Sequence, residues 1–394
     1  MIKKSLKNLA INDKDDSIFT SRLHLENVNN FFINSVVSPF AIDRQRIVDS
    51  ASFRRLQYKT QVFVNHQGDH FRTRLTHTLE VAQIARLIAN SLDLNQDLAE
   101  VISLIHDMGH PPFGHAGEEV INSKMQNFAG FSHNDHTLKI ITKIESFSEQ
   151  FLGLNLTLAT LEGVVKHNGK IENHEHKNLN KYLIDFNNLF DLSFNKNPSL
   201  EAQISAISDD IAYNNHDIED GVRAGLINVD DLLALPLVGE IYKKLLLKNT
   251  NISNKILVSE AKKILTDFMI KDVVDNTFNN ILTNNIKSYE DIRNFPNYLV
   301  NFSSYMQNIN DEIKKFLNNK MYRHSIVNQM SEDAQIIINS IFDHVFENPK
   351  KLPKEFYEKY ESSKNIDNLA ELTCDYIAGM TDRFAIKCFK EMID

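Results

Sequence analysis

An all-α protein is what this sequence predicts, with at most a short β-hairpin near residues 60–72. Three observations carry that expectation. The 394 residues include only 12 glycines and 8 prolines, about 5% of the chain against an average near 12%, so turn residues are scarce. Apolar residues recur at three- and four-residue spacings along most of the length, the period of an amphipathic helix. Hydrophobic residues make up 42% and charged residues 24%, an ordinary globular balance with apolar surface enough for a sizeable core.

The elements follow in order. Residues 1–40 are polar and asparagine-rich and read as a weakly structured N-terminal arm. A core is expected over 41–230, opening with DRQRIVDSASFRRLQYKTQVF, where arginines alternate with apolar residues at helical spacing. Asn65, Gly68 and Asp69 in VFVNHQGDHFRTRLTH mark a turn or short hairpin. A helix from about Thr76 to Asn90 places Val81, Ile84, Ala85 and Ile88 on one stripe, with His77 one turn earlier. Asn95 and Asp97 announce a second helix with Leu98, Val101, Ile102 and Ile105 as its buried face. It stops at His106-Asp107-Met108-Gly109, and Pro111, Pro112 and Gly114 forbid regular helix beyond it.

A new helix is expected near Ala116, and TLATLEGVVKHN (157–168) reads as another, ending at Asn168-Gly169. Residues 170–198, rich in Asn, Lys and His, read as a variable loop. From Leu200 a helix resumes with Leu200, Ile204, Ile207 and Ile211 as a core face. Residues 231–394 form a C-terminal helical region, including LLLKNTNISNKILVSEAKKIL and AQIIINSIFDHVF, packed on the core. No repeat of fixed period is present.

Composition also excludes function classes. The formal net charge of −9 argues against a broad nucleic-acid surface, which needs clustered Lys and Arg. Cys374 and Cys388 are the two cysteines, too few for a disulfide scaffold and consistent with a reducing cytoplasm. No stretch approaches the roughly 18 apolar residues of a membrane helix. MIKKSLKNLAIND has the charges of a signal peptide without its apolar region. The expectation is a cytoplasmic protein with no membrane partner.

Histidine is unevenly spread: His66, His70, His77, His106, His110, His115, His133 and His136 fall close together among the 15 of the chain. His106-Asp107 stands where an apolar helix gives way to a glycine- and proline-interrupted loop, so the two side chains can take adjacent corners of a coordination sphere. Asp209-Asp210, within a run of isoleucines, supplies further carboxylates whose burial demands a partner. Two imidazoles and two carboxylates suit one divalent ion such as Mg²⁺, Mn²⁺, Fe²⁺ or Zn²⁺. Asp209, Tyr213 and Asp217, four residues apart, share a helix face. Arg72 and Arg74 can form a facing cationic wall, and an arginine fork beside a metal suggests a phosphorylated substrate.

The series His77…His106-Asp107…Asp209 resembles the H…HD…D signature of HD-domain metal-dependent phosphohydrolases. YKTQVFVNHQGDHFRTRLTHTLEVAQIAR, HDMGHPPFGHAGE, TLEGVVKHNG, DDIAYNNHDIEDG and DYIAGMTDRF resemble, in order from about Arg44 to Phe384, the deoxyguanosinetriphosphate triphosphohydrolase-like family. More distantly the pattern is similar to the mammalian SAM-and-HD-domain dNTP hydrolase. The resemblance implies an HD-domain helical fold with extra C-terminal helices. It implies hydrolysis of a deoxynucleoside triphosphate to deoxynucleoside and inorganic triphosphate, serving control of the dNTP pool. It further implies a homo-oligomer, tetramer or hexamer, whose activity responds to a bound dNTP activator.

Carried over by position, His77, His106, Asp107 and Asp209 match ligands of one divalent metal, with Mn²⁺ or Mg²⁺ favoured. Asp209 rather than Asp210 is chosen because the family's Asp-x₃-Tyr-x₃-Asp run has the ligand first. Tyr213 and Asp217 then match the sugar and phosphate side, Gln61 a position near the sugar, and Arg74, His110, His115 and Lys166 phosphate contacts. Glu118 and His133 match an acid and a histidine implicated in catalysis, and His115 is the expected proton donor to the leaving 5′-oxygen. Two other readings stand beside this one. An HD phosphohydrolase could act on another nucleotide phosphoester, with His110, His133 and His136 holding a second metal. A nucleotide-sensing protein of weak activity is the other. Asp375, Tyr376, Asp382, Arg383, Arg323 and His324 receive no functional role, and His174 and His176 read as solvated.

Overall fold

The computed structural model describes residues 5–12, 18–25, 37–62, 72–128, 130–171 and 180–393. The expected hairpin turn, with His66 and His70, and the loop histidines His174 and His176 lie outside the described residues. Among those described there is no strand; what brackets the expected hairpin is one isolated antiparallel bridge between Thr60 and Thr73.

In chain order the helices are α1 (Pro39–Asp49), α2 (Ala51–Arg55), α3 (Arg74–Leu92), α4 (Gln96–Ile105), α5 (His115–Met125) and α6 (His133–Lys139). They continue with α7 (Leu158–Val165), α8 (Lys181–Leu189), α9 (Leu200–Arg223), α10 (Val229–Leu232), α11 (Val238–Lys248) and α12 (Asn254–Thr283). The last are α13 (Tyr289–Asn294), α14 (Ser304–Leu317), α15 (Ser325–Glu347), α16 (Lys354–Ser363), α17 (Ile366–Ala378) and α18 (Asp382–Ile393).

Three helices frame the site, and each starts on a side-chain cap. Thr73 and Thr76 form a reciprocal box at the start of α3, Asn95 accepts from Leu98 N–H at the start of α4, and Ser199 accepts from Ala202 N–H to open α9. Such caps satisfy donors that a helix start otherwise leaves bare. The predicted stripes Val81–Ile84–Ala85–Ile88 and Leu98–Val101–Ile102–Ile105 are buried as expected. They pack α3 and α4 on each other and on α9, while α1 and α7 close over α4 and α12 covers α3 and α9.

A separate apolar cluster joins α5 to the C-terminal helices. Phe113, Ile121 and Met125 meet Ile338, Ile341, Phe342, Ile377, Ala378 and Met380 there, so α15, α17 and α18 are anchored to the chain segment just after His106-Asp107.

Several expectations are revised. Residues 5–12 are packed, not free: Leu6, Leu9 and Ile11 are buried, Leu6 N–H donates to Leu92 O at 2.8 Å and Ile11 N–H to the Glu201 carboxylate at 3.0 Å. The variable loop contains α8, because Leu183 and Phe186, three residues apart, are buried against the α4–α7 cluster. LLLKNTNISNKILVSEAKKIL is interrupted: α11 ends at Lys248 and α12 begins at Asn254, where asparagines and Ser253 favour a break and a new start. The helix expected near Ala116, by contrast, is present and begins at His115.

Candidate active site

α3, the end of α4 and the middle of α9 bring the histidines and acids together. His77 Nε2 lies 2.9 Å from Asp209 Oδ1. His106 Nε2 lies 3.5 Å from Asp107 Oδ1 and 3.6 Å from Asp209 Oδ1. His77, His106 and Asp107 each offer a buried ligand atom, all within 4.8 Å of one another. Asp210, the rejected neighbour of Asp209, points outward and pairs with Lys314 at 3.0 Å.

The donor set fits a divalent cation. His106 Nδ1 lies 2.7 Å from Ser103 O, which places a proton on Nδ1, while the buried Nε2 has no hydrogen-bond partner among the described residues. A ring nitrogen fixed by a carbonyl behind it is the usual arrangement of a metal-binding histidine. Burial opposes charge on Asp107 and Asp209, yet Arg74, His106 and His110 around the first hold it well below the usual carboxylate range. The three histidines His106, His167 and His77 do the same for Asp209. Burial pushes His106 down, but the two carboxylates outweigh it and lift the ring to about 9. The spot favours positive charge, which is what a cation brings.

His167, at the end of α7, is a member the sequence reading did not single out. Its Nε2 lies 3.5 Å from Asp209 Oδ2, and its ring stacks on His106 at 5.2 Å. The string TLEGVVKHNG contains it, but only the fold turns the α7 end toward α9.

On one side lies a cationic and imidazole wall. Arg74, 2% exposed, donates from Nη1 to Asp107 Oδ2 at 2.8 Å. His110 Nδ1 lies 3.1 Å from Asp107 Oδ1, and burial first, then Arg74 and His133, keep His110 from taking up a proton. His110 stacks on His133 at 3.8 Å and meets His115 edge-on at 5.3 Å. Glu118 accepts from His133 N–H and lies 2.8 Å from His133 Nδ1 and 3.2 Å from His115 Nδ1. Burial works against charge on Glu118, and the two histidines overcome it. His115 is the open member, with two-thirds of its side chain exposed.

The opposite wall is α9. Tyr213 stands edge-on to His77 at 6.4 Å, and Asp217 accepts a short hydrogen bond from the Tyr322 hydroxyl. Burial pushes Asp217 up to about 8, against the pull of that hydroxyl. Tyr322 was likewise not singled out. It sits in a π-helical turn, Asn318–Tyr322, that ends α14, and it faces Tyr213 at 6.1 Å.

Not every candidate joins this group. Arg72 is turned to Glu80 (2.8 Å), Glu219 (3.0 Å) and Asp220 (3.1 Å), so the arginine wall consists of Arg74 alone. Lys166 is fully buried, donating to Glu162 at 2.5 Å and to Ser193 O at 2.6 Å, with Arg293 on the same carboxylate at 2.8 Å. Its ammonium is committed to that network. Gln61 is half-buried, and its Oε1 has no partner among the described residues. His136 leaves the histidine group: its Nδ1 lies 3.1 Å from Gly109 O and its Nε2 3.6 Å from Asp375, so it is no third ligand beside His110 and His133. His110, Glu118 and His133 do offer three atoms within 4.8 Å, but Glu118 is already hydrogen-bonded to His133.

The HD domain family matches residues 74–214, and a phosphohydrolase-associated domain matches residues 300–391. A deoxyguanosinetriphosphate triphosphohydrolase-like protein of Pelagibacter ubique is 48% identical over 90% of this chain and 93% of its own. Proteins of the same description from Caulobacter vibrioides (45% identical, 89% of each chain) and Brucella ovis (42%, 91% of this chain and 90% of its own) are similar to it as well. No helix among the described residues is long and apolar enough to cross a membrane. Matched by these relatives at 42–48% identity over about nine-tenths of its length, the chain belongs to the deoxyguanosinetriphosphate triphosphohydrolase-like family of HD-domain phosphohydrolases.

Proposed function

We propose that this protein hydrolyses deoxynucleoside triphosphates to deoxynucleoside and intact inorganic triphosphate. The observation that carries the reading is the layout of the two walls around the His77–His106–Asp107–Asp209 group. An arginine and imidazoles line one side, suited to phosphate oxygens, and a tyrosine–acid pair lines the other, suited to a sugar. A divalent cation held by those four residues supplies electrophilic polarisation of a phosphate oxygen and a water of lowered pKa.

The chain's own groups account for the rest. Attack of water at the α-phosphorus forms a new P–O bond that stays with the triphosphate, releases the water's proton to solvent, and breaks the bond to the 5′-oxygen, a poor leaving group that needs a proton. His115 is the exposed imidazole within reach of an incoming substrate, and Glu118 behind its Nδ1 orients the ring so that Nε2 delivers that proton. His133, bound to the same carboxylate, keeps Glu118 oriented. Arg74 and His110 meet the triphosphate as its charge grows. Asp217, with its carboxyl lifted to about 8, offers a hydrogen bond to a 3′-hydroxyl, and the packed Tyr213 and Tyr322 rings leave little room for a 2′-hydroxyl.

The test is a panel of the four dNTPs with Mg²⁺ or Mn²⁺, singly and mixed, scored by product identity. Mixtures are included because a dNTP activator would leave single nucleotides unprocessed. Intact triphosphate is the expected product. Orthophosphate or pyrophosphate would move the protein to another phosphoester substrate, and ribonucleotides turned over as fast as deoxynucleotides would remove the sugar argument.

A further inference from the structure

Behind the 110–115 loop lies a set of buried contacts that the reaction above does not use. Lys59, 2% exposed, donates from Nζ to His110 O at 2.5 Å and to Ala378 O at 2.9 Å. Asp382, 1% exposed and the first residue of α18, accepts from Thr60 N–H at 2.8 Å, from the Thr60 hydroxyl and from Phe113 N–H at 3.0 Å. Two buried polar side chains, an amine and a carboxyl, therefore join three segments: the stretch before α3, the loop carrying His110 and leading to His115, and the α17–α18 elbow.

The loop has need of such support. Phe113 and Gly114 both have left-handed φ values, 62° and 58°. The first is unusual for a bulky side chain, and such conformations persist where surroundings over-determine them. Here the Phe113 amide is held by Asp382, and its ring is buried in one cluster with Ile377, Ala378 and Met380. Amide and ring of the strained residue are thus both held by the same C-terminal elbow. Lys59 holds the carbonyl of His110 at the loop's other end.

We propose that Lys59 and Asp382 are positioning residues through which the α17–α18 elbow sets His110 and His115 against the metal group. The C-terminal helices thereby tune the phosphate side of the site without touching substrate. The inference rests on the roles given to His110 and His115 above, and its readouts are chosen to separate the two.

The experiment compares Asp382→Asn and Thr60→Val with a control, Asp43→Asn. Asp43 is an equally buried carboxylate that accepts from Thr157 and Thr160, away from the loop. Bound metal, melting temperature, amide hydrogen exchange and steady-state kinetics are measured on each full-length protein. Asp382→Asn is expected to keep wild-type metal content and wild-type exchange in α3 and α9. Exchange should accelerate within 110–115 alone, and kcat/KM should fall about 100-fold, the cost of a misplacement near 1 Å. Thr60→Val, which removes a single donor, is expected to show the same local pattern more weakly, and it decides the matter should Asp382→Asn not fold. Asp43→Asn should lower the melting temperature and leave exchange at 110–115 unchanged. Unchanged exchange at 110–115 in Thr60→Val and Asp382→Asn, or exchange rising equally through α3 and α9, would overturn the proposal. If the wild type turned over no dNTP, the hydrolase reading would fail while exchange and metal content still judged the positioning role.

Discussion

His106 and Asp107 show how a single pair of neighbours can gather a site. The first ends α4 with its ring nitrogen fixed by Ser103, and the second lies between Arg74 and His110. His106→Ala and Asp107→Ala are each expected to abolish turnover and metal retention. Their circular dichroism should stay that of the wild type, since each substitution removes a polar group and leaves the apolar stripes of α3 and α4 intact. Tyr322 invites a subtler change. Tyr322→Phe keeps the ring against Tyr213 and removes the donor to Asp217, leaving a buried carboxyl oxygen unsatisfied at a cost of about 1–3 kcal/mol. KM for dNTP should rise about tenfold or more with kcat nearly unchanged, and an equal KM in the variant would show that Asp217 is not a sugar contact.

The turn between α4 and α5 depends on a glycine for a reason of space. A Cβ on Gly109 would come 2.0 Å from His133 O and 2.5 Å from Thr137 N, both main-chain atoms that cannot swing aside. Gly109 N–H also donates to the Thr137 hydroxyl at 2.9 Å, so the start of α6 is seated on this turn. Gly109→Ala is expected to cost about 3 kcal/mol, at the upper end of overpacking, and to separate His133 from Glu118. Urea unfolding checks the first part, and loss of activity at temperatures where the variant stays folded checks the second. The π-turn that ends α14 is the same kind of device: one extra residue per turn re-aims a side chain, here Tyr322.

Across the whole molecule, the last four helices, α15 to α18, close the face that carries the loop. Deleting residues 325–394 would uncover Ile121 and Met125 of α5 and remove the partners of Lys59, Thr60 and Phe113. The truncated chain is expected to aggregate, and a soluble truncated protein that retains activity would contradict this. The buried amine gives a pH signature too. Burial pushes Lys59 down to about 7, with Arg55 adding to it and Asp382 opposing. Between pH 7 and the ordinary lysine value near 10.4, the unfolded chain therefore binds a proton that the folded chain does not. Stability from this group rises with pH across that window. Urea midpoints at pH 7 and 9.5 should differ more for the wild type than for Lys59→Met, and an equal difference would show the amine to be ordinarily charged in the fold.

Helix positions near the site were legible from period alone, because α3, α4 and α9 each bury one stripe against the others and that stripe repeats in the chain. His77, His106, Asp107 and Asp209 could be named from spacing and resemblance, since each lies on or at the end of such a helix. Arg72 and Arg74 could not be told apart: two residues along the chain, one is turned to the acids of α3 and α9 and the other to Asp107. Lys166 was equally opaque, its ammonium drawn to Glu162 one turn back. His167, Tyr322 and the Lys59–Asp382 contacts emerged from packing between segments remote in sequence, for which linear order holds no periodic signal. Local patterns follow from backbone geometry, which repeats along the chain, whereas the aim of a charged side chain follows from whichever partner the folded chain places beside it.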